Sequence, residues 1–288
     1  MSDPLIRHLR DLVSVVPPDS VILAGGLGLM LKRRHLALSG AMTLAKNSSY
    51  EHPEARATTD IDLFLRIELF TQPEEGRRLR QALDGLQYRE LTPKWQFEKR
   101  LSDALPDQFV VVDLLARRPD DGEDVRVRTS RVGSGSGTDL HGRETVEAFA
   151  VECEPQITTI LDEGHECGQI LTAHPYAWLN MKVRAAHDWL RFQAQPWRLR
   201  ENQLPPSAKH AFDAALIVAM ITEVERDECV SLATEFRDHA IAEEIRTEAT
   251  ELFGSPTALG WREAITQGMF DDHDLIWTTL KEMLGADG

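Results

Sequence analysis

The fold is decided by the stretch Arg56-Ala-Thr-Thr-Asp60-Ile-Asp62-Leu-Phe64. Its two aspartates stand two residues apart in an apolar run, and on a β-strand this spacing places both carboxylates on one side. Aspartate is disfavoured in strands, and two like charges side by side need a cation. The stretch therefore predicts a strand that presents a divalent-metal site. The alternative is a solvated edge strand whose aspartates face water.

Two further segments extend this prediction. Upstream, Val21-Ile-Leu-Ala-Gly25-Gly26 is typical of a buried strand that enters a glycine turn, and downstream Phe109-Val-Val-Val-Asp113 places one acid in another buried strand. A glycine turn can bring backbone amides close to phosphates, and Mg²⁺ prefers a few carboxylates completed by water and substrate phosphates. Together the segments predict metal-dependent phosphoryl chemistry, although a double glycine or a lone strand aspartate can also be purely structural.

The composition is that of a globular protein of 288 residues. Forty-seven acidic and 32 basic residues give a net charge of -15, which works against nonspecific binding to polyanions. Three dispersed cysteines do not form a disulfide framework, and no signal peptide or long apolar run is present. We therefore expect a cytoplasmic protein that does not enter a membrane, with any nucleic-acid partner held by a local basic patch.

The periodicity predicts an α+β fold. Residues 1–173 are expected to form a mixed β-sheet with flanking helices, and residues 174–288 an all-α domain. In the first part we predict helices over 28–38 and 73–86, a loop over 43–57, and a hairpin around Asp162-Glu-Gly164. The repeat Gly133-Ser-Gly-Ser-Gly137 is interpreted as a loop, since no helix pattern follows it.

Several basic residues stand at unusual positions. Lys182 falls in the middle of an apolar helix face, so it either extends to the surface or reaches a cleft between the two parts and binds phosphate. Lys209 and Asp213, four residues apart in an apolar helix, form either a buried ion pair or part of a site. The run from Lys32 to His35 is a solvated helix face or a polyanion contact, and the arginines at 184, 191, 198 and 200 are further candidates.

These motifs in their order resemble the polymerase-β-type nucleotidyltransferase superfamily, and in particular the AbiEii-type abortive-infection and toxin nucleotidyltransferases. The resemblance spans roughly residues 20 to 220. Its motifs are Gly25-Gly26, Arg56-x-Thr58-x-Asp60-Ile-Asp62-Leu, Val112-Asp113-Leu, Lys182-x-x-Ala185 and Lys209-x-x-x-Asp213. The segment around Asp60 and Asp62 is the most specific of them.

The resemblance implies a magnesium-dependent transfer of NMP from NTP to an acceptor hydroxyl, on the 3′ end of tRNA or on a protein, by a toxin that has a cognate antitoxin. It implies that magnesium is held by Asp60, Asp62 and Asp113, which are also the catalytic residues. It assigns nucleotide binding to Gly25, Gly26, Thr58, Lys182, Lys209 and Asp213, and makes the helical domain complete the nucleotide cleft.

Other functions are weighed against this one. A non-catalytic nucleotide-binding or interaction protein that retains the fold is the main alternative. The stretch Leu23-Ala-Gly-Gly-Leu-Gly28 also resembles the opening of sugar-nucleotide pyrophosphorylases, but their threonine-arginine pair is absent. A zinc site of Cys153, His165 and Cys167 lacks paired ligand spacing. No hydrolase triad is indicated around the histidines.

Overall fold

The computed structural model describes residues 3–16, 19–44, 60–92, 94–102, 105–128, 130–134, 140–192, 206–265 and 272–286. Two compact units make up the chain: Met1–Gly40 with Pro53–His174, and Ala41–His52 with Pro175–Gly288. The mixed α/β character expected from the sequence is confirmed. Residues 45–59, which hold Thr58 and most of the predicted loop 43–57, lie outside the described residues, as do 193–205 with Arg198 and Arg200.

The first unit contains a large mixed sheet with flanking helices. Its elements in chain order are α1 (Pro4–Val13), β1 (Val21–Leu23), α2 (Gly25–Ser39), β2 (Asp60–Leu65), α3 (Glu68–Thr71), α4 (Pro73–Gly85), β3 (Arg89–Glu90), β4 (Gln96–Ser102), β5 (Leu105–Arg117), β6 (Val125–Arg128), β7 (Arg131–Ser134), β8 (His141–Thr145), a 3-10 turn (Val146–Ala148), β9 (Gln156–Asp162) and β10 (His165–Thr172).

The strand order places the aspartates inside the sheet. Across the described part of the chain the order is β6-β7-β8-β5-β2-β1-β10-β9, and β4 adds a further partner to β5. Strand β2 pairs in parallel with β5 and antiparallel with β1, while β1 and β10 are parallel. Because β2 lies between two neighbours, the edge-strand explanation of Asp60 and Asp62 is wrong.

One face of the sheet packs into the core, and the other carries the acids. Along β2, Ile61 and Leu63 are fully buried while Asp60 is exposed and Asp62 half-buried. Strand β5 alternates in the same way around Asp113, which is half-buried between buried neighbours. A period of two in burial fixes the strand orientation, because turning either strand over would bury its carboxylates in place of its aliphatic side chains.

The glycine turn is shorter than the sequence pattern predicts. The helix that follows β1 begins at Gly25, not at residue 28, and runs to Ser39, where Gly40 in the left-handed region ends it. The hairpin predicted around Asp162-Glu-Gly164 is confirmed by the antiparallel pair β9 and β10. Its turn residues Glu163 and Gly164 both have positive φ, as a two-residue hairpin turn requires.

The second unit is helical wherever the structure describes it. Its elements in chain order are α5 (Pro175–Phe192), α6 (Pro206–Ala219), α7 (Glu223–Glu235), α8 (Ala240–Phe253), α9 (Leu259–Ile265) and α10 (His273–Leu284). Helix α7 begins with a capping box between Thr222 and Glu225. Within the described ranges, none of the helices is both long enough and apolar enough to cross a membrane.

Candidate active site

Three carboxylates predicted to form the site share one face of the sheet. In the parallel pair of β2 and β5, Asp62 lies directly opposite Asp113, and Asp60 lies opposite Val111. Residues paired in register project to the same side, and Asp60 is two residues from Asp62, so all three carboxylates lie on the same side. The structure therefore brings together acids that are about fifty residues apart in the chain.

The glycine turn lies directly against Asp62. The backbone N–H of Ala24 donates to the carbonyl oxygen of Asp62 at 2.9 Å. Gly25 has a φ of +63°, and a Cβ atom placed on it would lie 1.8 Å from Asp62 Oδ2, whereas a Cβ on Gly26 would meet nothing within 4 Å. Only glycine fits at position 25, because a side chain would occupy the space of the carboxylate.

This contact places Asp62 beside the first turn of α2. The leading N–H groups of a helix have no acceptor within the helix and carry a partial positive charge. The first turn of α2 contains no acidic residue of its own. An anion at this turn is therefore stabilised, and a phosphate can approach a backbone that carries no side chain at Gly25 and Gly26.

Asp113 is held by the strands on both sides of it. Gln96 of β4 lies opposite Asp113 in the antiparallel register and forms a side-chain hydrogen bond with it. Burial raises the pKa of Asp113; the Gln96 hydrogen bond lowers it, the Asp60 charge raises it and the Arg143 charge lowers it. Asp113 Oδ1 is buried and has no hydrogen-bond partner within the described residues. The sequence alone does not single out Gln96, because only strand pairing places it beside the acid.

The residues present are suited to magnesium. The buried Oδ1 of Asp113 has no hydrogen-bond partner within the described residues, and a bound cation would supply one. Mg²⁺ needs only one or two carboxylates when phosphates and water complete its coordination shell. In the part of the chain that the structure describes, no three His, Cys, Asp or Glu side chains, the three aspartates included, are grouped so that they could hold a metal by themselves. This holds for Cys153, His165 and Cys167 as well; the Cys167 thiol donates to the Ile160 carbonyl at 3.4 Å.

In the helical unit, Lys182 and Asp213 form a buried ion pair. Lys182 Nζ of α5 donates to Asp213 Oδ2 of α6 at 2.8 Å, and both side chains are less than one tenth exposed. The sequence suggested Lys209 as a partner of Asp213, whereas the buried ion pair that the structure describes joins Asp213 to Lys182 of a different helix. Lys209 itself is half-buried on α6. Nucleotide binding by Lys182, Lys209 and Asp213 stays a prediction.

The basic run on α2 is not a free basic surface. Lys32 is buried and its Nζ donates to Gln156 Oε1 of β9 at 3.1 Å. Arg34 donates to the Leu161 carbonyl at 3.3 Å and lies near Asp3. In the helical unit, Arg184 pairs with Glu244 and Glu248. Each of these basic groups is therefore held by hydrogen bonds or ion pairs within its own unit. This makes them weaker candidates for a polyanion contact than the sequence suggests.

Paired strand carboxylates on one sheet face, next to a glycine turn that opens a helix, are the arrangement that the resemblance to nucleotidyltransferases leads us to expect. A family model described as "Nucleotidyl transferase AbiEii toxin, Type IV TA system" matches residues 21–284. The chain therefore belongs to the AbiEii family of nucleotidyl transferase toxins. Membership implies an NTP substrate and a cognate antitoxin in a type IV toxin–antitoxin system. Searches of curated proteins and of solved structures gave no match.

Proposed function

We propose that this protein is a magnesium-dependent nucleotidyltransferase that moves NMP from NTP to an acceptor hydroxyl, on the 3′ end of tRNA or on a protein, and acts as the toxin beside a cognate antitoxin. The observation that carries the proposal is the register of Asp62 and Asp113 on neighbouring parallel strands, with Gly25 packed against the Asp62 carboxylate. This geometry supports the proposal because it sets a pair of carboxylates, which can hold a metal, beside a helix start whose N–H groups can bind phosphate.

The residues of the first unit divide the chemistry between them. The helix start at Gly25 and Gly26 binds the triphosphate through backbone N–H groups. Asp60, Asp62 and Asp113 hold magnesium, which when bound neutralises phosphate charge and favours attack on phosphorus. The acceptor hydroxyl oxygen bonds to the α-phosphorus, and the bond from that phosphorus to the bridging oxygen breaks to release pyrophosphate. Asp113, whose pKa burial raises, accepts the proton of the hydroxyl.

The proposal is tested by supplying α-labelled NTPs, one base at a time, to the protein with magnesium and either total tRNA or total cell protein. We expect label in one of the two acceptor fractions and none with the variant Asp60→Ala plus Asp62→Ala. Pyrophosphate release should accompany it. NTP binding without label in either fraction contradicts the transferase and favours the non-catalytic alternative.

A second prediction separates two roles of Lys182. Lys182→Met leaves Asp213 buried without its cation and should lower the free energy of unfolding by about 3 kcal/mol. Lys182→Met combined with Asp213→Leu removes both charges and should recover most of that loss. If Lys182 also contacts the triphosphate, the stable double variant binds NTP at least about 10-fold more weakly, a difference of about 1.4 kcal/mol.

Chemical denaturation measures the stabilities, and titration with a non-hydrolysable NTP measures the affinity. Lys281→Met, at a half-buried position of α10 where the lysine lies over the Trp277 ring, is the control for loss of one lysine. A double variant that folds and binds NTP like the wild type would show that Lys182 has a structural role only.

A further inference from the structure

A row of arginines crosses the three strands β6, β7 and β8 at one side of the sheet. In the antiparallel strands β6, β7 and β8, Arg128 lies opposite Arg131, and Arg131 lies opposite Arg143. Arg126 is two residues before Arg128 on the same strand and therefore faces the same side. These four residues, Arg126, Arg128, Arg131 and Arg143, are called the arginine row below.

The arginine row lies on the same sheet face as the carboxylates. Arg143 is in register with Leu115 of β5, which is two residues beyond Asp113. Side chains two residues apart on a strand, and side chains paired in register, project to the same side. The face therefore continues from Asp62 and Asp113 through Arg143 to the outer strands, and the charge of Arg143 acts on Asp113.

The arginine row is accessible and positively charged. Arg126, Arg128 and Arg143 are exposed and Arg131 is half-buried. Within the described ranges none of the four makes an ion pair, whereas nine other arginines of the same unit do so: Arg10, Arg34, Arg66, Arg77, Arg78, Arg80, Arg89, Arg117 and Arg118. In a chain of net charge -15 this is a local basic surface.

Repulsion between the aligned arginines destabilises the folded sheet unless a bound anion balances their charge. Like charges directly opposite each other on neighbouring strands are destabilising, and here three arginines are aligned on three successive strands. Their guanidinium groups are suited to phosphate oxygens, which they bind in a bidentate manner. A row of phosphates is the ligand that would convert this repulsion into binding energy.

The dimensions favour a nucleic-acid strand. Neighbouring strands are about 4.8 Å apart, so Arg128 and Arg143 are separated by about 10 Å across the sheet. This length corresponds to about three nucleotides at about 3.4 Å each along one nucleic-acid strand. The row also ends beside Asp113, so a nucleic-acid strand that lies on the row is directed towards the carboxylates. An acidic protein surface would lack the even repeat of charge.

We propose that the arginine row binds backbone phosphates of a nucleic-acid acceptor and directs its end to the carboxylates of Asp62 and Asp113. The proposal rests on the proposed nucleotidyltransferase function and selects RNA from its two acceptor classes. Backbone contacts of this kind position the ligand and make binding salt-dependent without reading sequence.

The test compares two variants that lose the same charge. In the first, R126Q/R128Q/R131Q, Arg143 is kept so that the surroundings of Asp113 do not change. The control, R77Q/R78Q/R118Q, removes three exposed arginines that are ion-paired with acids. Binding of end-labelled total tRNA is measured by anisotropy from 0.05 to 1 M NaCl, together with NTP binding and circular dichroism.

We expect the row variant to bind tRNA about 100-fold more weakly than the wild type at 0.1 M salt, with the slope of log K against log salt reduced by about 2 to 3. The control should change both quantities much less, and NTP binding should be unchanged in the two variants. If the loss of Arg131 prevents folding, R126E/R128E on the outer strand alone should weaken tRNA binding at least as strongly.

Equal tRNA affinity in the row and control variants would overturn the proposal. Label that enters protein only would overturn it too, and would assign the row to an acidic protein acceptor while leaving the nucleotidyltransferase intact. A wild type that binds tRNA through the row but transfers no label would support the row and contradict the proposed function. The binding experiment involves no catalysis, so the two failures are distinguishable.

Discussion

Asp62→Asn is expected to lower the rate of NMP transfer by about 1,000-fold, which corresponds to about 4 kcal/mol of lost transition-state stabilisation. Asp62 is the carboxylate that lies opposite Asp113 and against the glycine turn, so it is central to the set that would hold magnesium. Asparagine keeps the shape of the side chain but removes the charge that balances the cation.

The fold should tolerate this change. An acid at a helix start stabilises by about 0.3 to 1 kcal/mol, and removing it also relieves repulsion from Asp60 and Asp113, so the net loss of stability should stay below about 1 kcal/mol. Label incorporation measures the rate, and thermal unfolding followed by circular dichroism measures the stability. Asp121→Asn, an exposed acid of the same unit, is the control and should transfer label at the wild-type rate.

A second measurement identifies how Asp62 acts. The affinity for Mg²⁺ or Mn²⁺ in the presence of a non-hydrolysable NTP, followed calorimetrically, should fall in Asp62→Asn and stay unchanged in Asp121→Asn. A variant that keeps full transfer activity would show that the register of β2 and β5 does not form the site. A variant that loses activity through unfolding would show up in the thermal scan and would be replaced by Asp62→Glu.

Gly25→Ala is expected to abolish transfer as completely as Asp62→Asn, while Gly26→Ala, which keeps the backbone N–H and meets no protein atom, should lower transfer much less. A methyl group at position 25 would come within 1.8 Å of Asp62 Oδ2, and the φ of +63° costs a residue with a side chain about 1 to 2 kcal/mol. The carboxylate or the turn must move to relieve the contact. Either movement separates Asp62 from the helix start and from Asp113.

Gly26 is the matched control because it is the next residue on the same helix. No atom lies within 4 Å of a Cβ added there, and alanine is favoured over glycine inside a helix by about 0.5 to 1 kcal/mol. Transfer rates and unfolding free energies are to be measured for both variants. Equal effects at the two positions would contradict a special role for the contact between Gly25 and Asp62.

Several features of the site could be predicted from the sequence because they depend on neighbouring residues. The spacing of Asp60 and Asp62 in an apolar run requires a strand with both acids on one face, and the strand is present. The turn signal at Glu163-Gly164 gives the hairpin of β9 and β10, since positive φ at these positions favours such residues. The helix after the glycines is also local, although its start is three residues earlier than predicted.

Pairing between distant segments could not be predicted in this way. That β2 is an interior strand, that Gln96 reaches Asp113, and that Asp213 pairs with Lys182 all depend on contacts between residues far apart in the chain. Periodicity states which face of an element is apolar but not which element covers it. The basic run at Lys32 shows the limit, because a helix position that appears solvated is buried against β9.

The sequence by itself determined the acids, the glycine turn and the change from a mixed α/β part to helices, because these follow from side-chain period and backbone preference over short spans. The tertiary structure alone decided the register that sets Asp62 beside Asp113, the packing of Gly25 on that carboxylate, and the alignment of Arg128, Arg131 and Arg143. The physical reason is that strand register is fixed by burial of one whole face, which many residues determine together and no single motif encodes.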